Sequence, residues 1–481
     1  MDIQKNTSLT FLFYDYETFG KNPALDKPSQ FSCIQTDIDF NIIGSIQEIF
    51  CYPSVDYLPD PESVLITGIS PKYTSLFGVN EFEFAKKIYS LFMKSDTCII
   101  GYNNIYFDDE FTRNIFYRNF LNSYEWSWKN GNSRWDMLDL LRACYVLRPE
   151  GINWPRNEDN SVSLRLSDIS LANNIVHNVA HNASSDVYAT MNIAKLIKQK
   201  KPKLFNFFFK YRTKKAILTL IDVNSLNPIV YISRFFGVVN RYISYIVPIL
   251  WHPINSNILV SIDLSQDVQK ILNFFKRNSI LNVNYKEIFL MGIRFIYVNR
   301  CPILIPTNVI RMKDRIRLRI NYKLFQNNLV LLRKNIFLKK KLKKFLCSIA
   351  EAPKYNGSNV DLKMYNSFFS YIDNNVIKNI HSTLPKRIKI NFMKYDNRIN
   401  QLFILFLARY RPDMLDYSEK YFWIQRYLNI FSYANIQKYE NKILKLIVKY
   451  KNHVRNVQLL EELFEYVKYT RKNFLKSIFT N

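Results

Sequence analysis

The sequence has no uninterrupted apolar run of about 18 residues, so no segment reads as a membrane-spanning helix. Its opening, MDIQKNTSLT, lacks the basic stretch and small-residue cleavage site of a secretory signal, and a cytoplasmic protein is expected. Cysteine is sparse. Cys33, Cys51, Cys98, Cys144, Cys301 and Cys347 contain no CxxC pair, which argues against a thiolate zinc site or a dithiol redox motif and points to reduced thiols. No internal repeat and no long low-complexity linker is present. Histidine is also scarce, and His177, His252, His381 and His453 read as ordinary side chains without a chemical role.

Acidic residues are scarce in one part of the chain only. Residues 1–200 hold 18 Lys+Arg and 24 Asp+Glu, a balance of −6; residues 201–481 hold 49 and 16, a balance of +33. Such a surface attracts polyanions, with nucleic acid the first candidate and anionic membrane the second. The wealth of Lys, Asn, Ile, Phe and Tyr also fits an A+T-rich coding sequence, so part of the charge has a compositional origin.

Length suggests two to four domains. Aromatic and β-branched residues at 10–16, 31–36 and 42–52 read as strands. The stretch PDPESVLITGISP (59–71), with Pro59, Pro61, Gly68 and Pro71, reads as a structured loop. Helices are expected over 80–93, 108–120, 136–147, 163–173 and 184–200, with a strand and turn at 97–104. The alternation makes 1–200 an α/β domain. Residues 228–310 come in short Ile/Val/Tyr/Phe bursts split by Asn, Pro and Gly, the pattern of a small β domain. A basic helical segment follows at 322–349, and 361–481 has helical periodicity. The boundaries fall near 200 and 350, giving domains of 1–200, 201–350 and 351–481.

The stretch FLFYDYETFG (11–20) places Asp15 and Glu17 two residues apart on a strand, hence on one face, in a run that otherwise favours burial. Two readings stand: an edge strand with solvated acids, or a pair of carboxylates that share a divalent cation. Asp108 and Asp109 follow the strand and turn CIIGYNNIYF, at the strand end where ligands of open α/β sheets collect. Asp186 opens the 184–200 helix. Asp15, Glu17, Asp108 and Asp186 form a set able to hold two ions about 4 Å apart for phosphodiester hydrolysis. His181 lies five residues before Asp186, about 140° away if both were helical. A cap between Asn182 and Ser185 instead leaves His181 on the incoming loop, where it reads as a proton acceptor for attacking water or as an exposed side chain.

DYET, GYNNIYFDDE and HNASSDVYAT resemble the histidine form of the DEDD 3′–5′ exonuclease pattern. YNNIYFDDEFTRNIFYRNF, SRWDMLDLLRACYVLRPEGINWP and the overall length resemble the bacterial exonuclease I family, most densely over 1–200 and continuously to about residue 470. The resemblance implies an α/β ribonuclease H-like exonuclease domain with a mixed sheet, then an SH3-like β-barrel domain and an α-helical domain. It implies processive hydrolysis of single-stranded DNA from the 3′ end to 5′-mononucleotides, in DNA repair and recombination, by a monomer. Asp15, Glu17, Asp108 and Asp186 would bind two Mg²⁺, with Mn²⁺ a possible substitute, and His181 would be the general base.

Candidate DNA contacts are Tyr16, Arg113, Trp128, Lys129, Arg134 and Arg142, which pair cations for phosphates with rings for bases. Arg113 and Lys129 stand at family positions that touch DNA, and Tyr16 at one that carries an aromatic; Tyr16 also reads as a packed strand residue. The resemblance implies a partner as well, the acidic C-terminal tail of single-stranded DNA-binding protein, held by Arg148, Phe207, Arg311 and Arg333. Pro306 and Gln326 replace a glutamine and a leucine of that site. RNA-directed DEDD enzymes and proofreading subunits share the metal motifs but lack the long C-terminal portion. A DNA-binding protein with a decayed nuclease site is the rival of a different class, and it is disfavoured because all four acids and His181 are present.

Overall fold

The structure is a computed structural model and describes residues 9–177, 181–239, 241–276, 285–348, 354–383 and 394–479. The expected boundary near residue 350 lies outside this set. The chain forms two compact units: Met1–Asn132 with Asn178–Tyr188 and Lys354–Asn481, and Ser133–His177 with Ala189–Pro353. No helix among the described residues is long and apolar enough to cross a membrane.

In the first unit β1 (Thr10–Thr18) runs antiparallel to β2 (Pro28–Thr36), which pairs antiparallel with β3 (Gln47–Phe50). On its other side β1 pairs in parallel with β4 (Thr97–Gly101), so the order β3-β2-β1-β4 is a mixed sheet. Period-two alternation divides β1. Leu12, Tyr14 and Tyr16 pack on one face with Phe31, Phe84, Phe92, Phe111 and Trp126. Phe11 and Phe13 contact Phe40 on the other face, the one that Asp15 and Glu17 continue. The strand expected over 42–52 shrinks to Gln47–Phe50, because Gly44 takes φ +79 and leaves Ile42 and Ile43 exposed.

The segment 59–71 is a correction to the expected loop. It contains α1 (Pro61–Thr67) and the start of α2 (Pro71–Phe77), and each helix has proline at its first turn. Proline lacks only an N–H that the first turn would leave unpaired, so it opens these helices rather than breaking them. Gly68, at φ +69, ends α1, and the Ser70 hydroxyl accepts from the Tyr73 N–H to start α2. In α3 (Glu81–Phe92) residues Phe84, Ala85, Ile88 and Phe92 form the buried stripe. α4 (Asp108–Arg118) brings Tyr117 to a second core with the helices Asn397–Tyr410 and Tyr417–Ile430.

Buried ion pairs tie the N- and C-terminal segments of this unit together. Arg409 meets Asp56 through two bonds, Nε–Oδ1 3.0 Å and Nη2–Oδ2 2.7 Å. Arg426 bridges Asp56 and Asp361. Glu81 accepts from Arg118 Nε at 2.9 Å, and Lys27 lies 3.5 Å from it.

The second unit contains five antiparallel strands in the spatial order Ile303–Pro306, Ile229–Ile232, Ile243–Trp251, Ile258–Asp263, Ile293–Tyr297. Their inner face packs Tyr231, Ile246, Leu259, Ile296 and Leu304. The helical stretch 322–349 is two helices, Tyr322–Lys334 and Phe337–Ser348. Asn335 separates them: its side chain bonds back to the Leu331 carbonyl at 2.7 Å.

Burial raises the Glu81 carboxyl, but Arg118 and then Lys27 outweigh it and hold the group down at about 2 against an ordinary 4.5. A depressed acid stabilises the fold above its unfolded value and loses that contribution as pH falls through its folded value. Urea titrations should therefore show stability falling between about pH 4.5 and 2. Glu81→Gln should flatten that limb and cost about 3–5 kcal/mol near neutral pH, since two buried cations lose their counterion.

Candidate metal centre

Asp15 and Glu17 lie on β1, and Asp186 lies in the first turn of the helix Ala183–Lys200. One carboxylate oxygen from each falls within 4.8 Å of the other two, the one such group found among the described residues. Glu17 is 7 % exposed and Asp15 is half-buried. Asp108, at the first position of α4, is buried, and its Oδ1 accepts the Tyr16 N–H at 3.2 Å. That N–H is available because the β1–β4 pairing ends at Phe13 and Ile100. The carboxylate of the first residue of α4 therefore occupies the ladder position between Asp15 and Glu17.

The neighbouring acid turns the other way. Asp109 Oδ1 accepts from Tyr14 Oη at 2.5 Å and from Asn104 Nδ2 at 3.3 Å, inside the core. The turn that delivers α4 is tight. A Cβ on Gly101 would sit 2.6 Å from the Asn104 Cβ and 3.2 Å from the Tyr14 carbonyl, so only glycine fits.

The turn carrying Asp186 is braced on the sheet. Gln30 Oε1 accepts the Ala183 N–H at 3.3 Å, and Gln30 Nε2 donates to Glu48 Oε1 at 2.6 Å. Ser184 Oγ donates to the same Glu48 oxygen at 2.7 Å and lies 3.1 Å from Ser32 Oγ. Asn182 caps the helix, its Oδ1 accepting the Ser185 N–H at 3.2 Å. His181 precedes the cap on the incoming turn, exposed and at φ +60. Sequence reasoning missed Gln30, Ser32 and Glu48. Their only signal is polar side chains in or beside the segments read as strands, 31–36 and 42–52.

The carboxylates strain against one another. Burial first, then Asp108, Asp186 and Glu17, push the Asp15 carboxyl well up. Burial, Asp186 and Asp108 push Glu17 up to about 8. All donors are hard oxygens, with no thiolate among them, which is the donor set of Mg²⁺ or Mn²⁺.

The expected DNA contacts divide. Trp128 is 63 % exposed, and Lys129 sits at the surface with Nζ 2.7 Å from Glu125. Arg113 is buried and pairs with Glu110 at 2.6 Å; in the other unit Arg142 is buried and pairs with Asp139. Among the described residues, neither Arg113 Nε nor Arg142 Nε has a hydrogen-bond partner. Arg134 is buried and donates to the Asn299 carbonyl at 2.8 Å. Tyr16 is a correction: at 3 % exposed, packed on Phe31 and Phe84 and accepting from Thr112, its ring has no face open to a base.

In the second unit Arg148 and Arg311 converge on Asp314, at 3.3 and 2.6 Å. Phe207 is half-buried with its ring 4.6 Å from that of Tyr211. Arg333 is exposed and donates to Asn227 at 3.3 Å. Pro306 ends a strand, and Gln326 is exposed on a helix.

A mixed sheet with carboxylates converging at its strand ends, followed in sequence by an SH3-like domain and a helical domain, defines a ribonuclease H-like exonuclease. Three family models match in that order: "Exonuclease" over residues 12–194, "Exonuclease I SH3-like domain" over 212–348 and "Exonuclease I C-terminal domain" over 358–470. The exodeoxyribonuclease I of Buchnera aphidicola subsp. Schizaphis graminum is 48 % identical over 481 residues, covering 99 % of each chain. That of Escherichia coli K12 is 42 % identical over 464 residues, 95 % of this chain and 97 % of that one. A crystal structure of E. coli exonuclease I in complex with a dA16 oligonucleotide superposes with TM-score 0.89 at 40 % identity, covering 96 % of this chain and 100 % of that one. A zinc-bound E. coli complex with single-stranded DNA scores 0.87 at 40 % identity (96 % and 99 % covered), as does an ExoI/SSB-Ct complex (96 % and 100 %). The chain belongs to the exodeoxyribonuclease I family, and it is a nuclease.

Removing one of the crowded charges should relieve the protein while disarming it. In EDTA, Asp15→Asn should melt at a higher temperature than the wild type. Addition of Mg²⁺ should raise the wild-type melting temperature and leave the variant's unchanged. A variant less stable than wild type in EDTA would contradict the repulsion. Gln30→Ala, which touches no candidate ligand, should lower activity about 10–100-fold through the lost brace on the Asp186 turn.

Proposed function

We propose that this protein hydrolyses single-stranded DNA processively from its 3′ end, releasing 5′-mononucleotides, with two Mg²⁺ ions held by Asp15, Glu17, Asp108 and Asp186. The observation that carries the reading is the convergence of Asp15, Glu17 and Asp186 within 4.8 Å in a partly buried site, beside the buried Asp108. Such a cluster is costly alone and is stabilised by divalent cations. Bound there, the ions would activate a water and offset charge on the departing oxygen.

The chain's own residues supply the rest. His181, on the exposed turn before Asp186, accepts the water proton at an imidazole nitrogen. The water oxygen joins phosphorus, and the bond from phosphorus to the 3′ oxygen of the preceding nucleotide breaks. That oxygen takes a proton and becomes the new 3′ end, and the phosphate leaves on the 5′ carbon of the released nucleotide. Trp128 offers a ring to a base, and Lys129 and Arg113 belong to the reading as cations for phosphate. Arg134 and Arg142 belong to the same reading as further cations for the strand. The oligonucleotide and zinc complexes of the E. coli relative support substrate and metal class.

A partner site is part of the proposal. Arg148 and Arg311 share Asp314, and with Phe207 and Arg333 they supply cations and a ring for the acidic tail of single-stranded DNA-binding protein. The ExoI/SSB-Ct complex of a relative supports this reading.

A gel time course on single-stranded DNA labelled at its 5′ end tests the chemistry. With Mg²⁺ the product ladder should shorten from the 3′ end; EDTA should stop it, and matched duplex and RNA should stay intact. Asp15→Ala should abolish cleavage and leave a gel shift. Cleavage by that variant would refute the metal assignment.

A further inference from the structure

Residues 201–481 set 16 Asp or Glu against 49 Lys or Arg, yet Glu461, Glu462 and Glu465 cluster there. They lie on the helix Val454–Phe479 of the first unit. At about 100° per residue, these three acids and Tyr469 fall within an arc of about 100°. Leu460, Leu463 and Val467 take the opposite side and are buried. The acidic face lines a groove of about 1700 Å³. The helix Tyr417–Ile430 lines it too, with Tyr417, Lys420, Tyr421 and Ile424 at i, i+3, i+4 and i+7, and so does the buried Trp423. Tyr417, Tyr421 and Tyr469 are 89, 60 and 68 % exposed.

The groove is costly when filled with water alone. Its exposed rings form an apolar patch of the kind that marks an interaction site. Glu461–Glu465 at i,i+4 and Glu462–Glu465 at i,i+3 are like-charge pairs that oppose the helix. Local cations answer this in part: Lys468 lies 3.0 Å from Glu465 and Lys72 lies 4.0 Å from Glu462. Among the described residues Glu461 has no ion pair. Ser54 lines the same groove, and its buried Oγ has no hydrogen-bond partner among the described residues. An occupant with cations, apolar side chains and main-chain donors meets all three needs. A nucleic acid does not, because its phosphates would face carboxylates. A small molecule underfills the space, since such sites run to about 300–1000 Å³. Lys or Arg over a tyrosine ring also gains cation–π attraction.

We propose that this groove docks a basic, apolar-rich segment of a partner protein. Lys or Arg of the segment meets Glu461 and Glu465, and its apolar side chains pack on Tyr417, Tyr421 and Tyr469. The groove shares no residue with the metal centre, so docking leaves hydrolysis to proceed.

The full-length protein is panned in EDTA against a random library of dodecapeptides on phage, with excess oligo-dT and acidic tail peptide present to occupy the other binding surfaces. Enriched sequences should carry Lys or Arg among apolar residues. The synthetic peptides, read by fluorescence anisotropy, should bind Glu461→Gln/Glu465→Gln and Tyr421→Ala about tenfold more weakly than the wild type. The control Asp39→Asn/Glu62→Gln, which neutralises two exposed acids elsewhere in the unit, should bind them normally. Because Glu461, Glu465 and Tyr421 are exposed, the melting temperatures and nuclease activities of the groove variants should match the wild type, which rules out misfolding.

Enrichment of acidic or uncharged peptides, no enrichment, or equal binding by wild type and groove variants overturns the docking site. Self-association of the wild type in sedimentation velocity, lost in the groove variants, overturns it in favour of a second copy of this chain. Spermidine that raises the melting temperature of the wild type and not of Glu461→Gln/Glu465→Gln, with no peptide selected, overturns it in favour of a free oligoamine. Failure of the wild type to hydrolyse single-stranded DNA overturns the functional reading above and not the groove.

Discussion

Four carboxylates held close together in a partly buried place are the constraint on which the first unit is built. Left to themselves they would separate or neutralise, as the upward displacement of Asp15 and Glu17 shows. Each is therefore delivered by an element that cannot easily retreat. Asp15 and Glu17 are fixed by the part of β1 that pairs with β2, opposite Ser32 and Gln30, just beyond the residues that pair with β4. Asp108 is fixed by a bond to the strand's own Tyr16 N–H, and Asp186 by a helix start clamped on Gln30, Ser32 and Glu48. The brace around each carboxylate is neutral or already shared, so it adds no counter-charge that would compete with a cation.

That rigidity draws on residues far away in sequence. α4 carries Asp108 at one end and Arg118 at the other, and Arg118 is locked on Glu81 of α3. Asp56 is held by Arg409 and Arg426, about 350 residues later, and burial alone would have raised its carboxyl rather than lowered it. Breaking such pairs leaves uncompensated buried charge, so the C-terminal helices act as part of the support for the N-terminal sheet within this unit rather than as an appendage.

Much of this was legible because it is local. A period of two puts Asp15 beside Glu17, acids in a first turn mark α4, and an Asn before a helical run marks the start of the helix bearing Asp186. What was not legible is long-range or ambiguous in chemistry. Nothing near Gln30 announces a partner 153 residues on. Pro61 and Pro71 read as loop punctuation, but proline also opens helices, and the structure uses that second meaning. Tyr16 sits between two candidate ligands in sequence, but alternation sends its ring to the opposite face and into the core. Asn335 could not be told from the other asparagines of a sequence rich in them, although its side chain divides the basic helical segment in two.

The two units carry opposite electrostatic deficits. The acidic cluster gathers carboxylates, and the stretch from 315 to 350 has no acidic residue, so each gains stability from a ligand of the opposite sign. A ligand that binds only the folded form adds to stability in proportion to the logarithm of its concentration over its dissociation constant. The two deficits differ in kind. Carboxylates within 4.8 Å demand a small, hard ion at a fixed place, whereas exposed lysines on flexible stems accept charge over a length of strand with little geometric demand. A chemical step needs the first sort of binding, because the reacting bond must be placed. Repeated advance along a polymer needs the second, because a contact that fixed the strand in one register would have to be broken at every step.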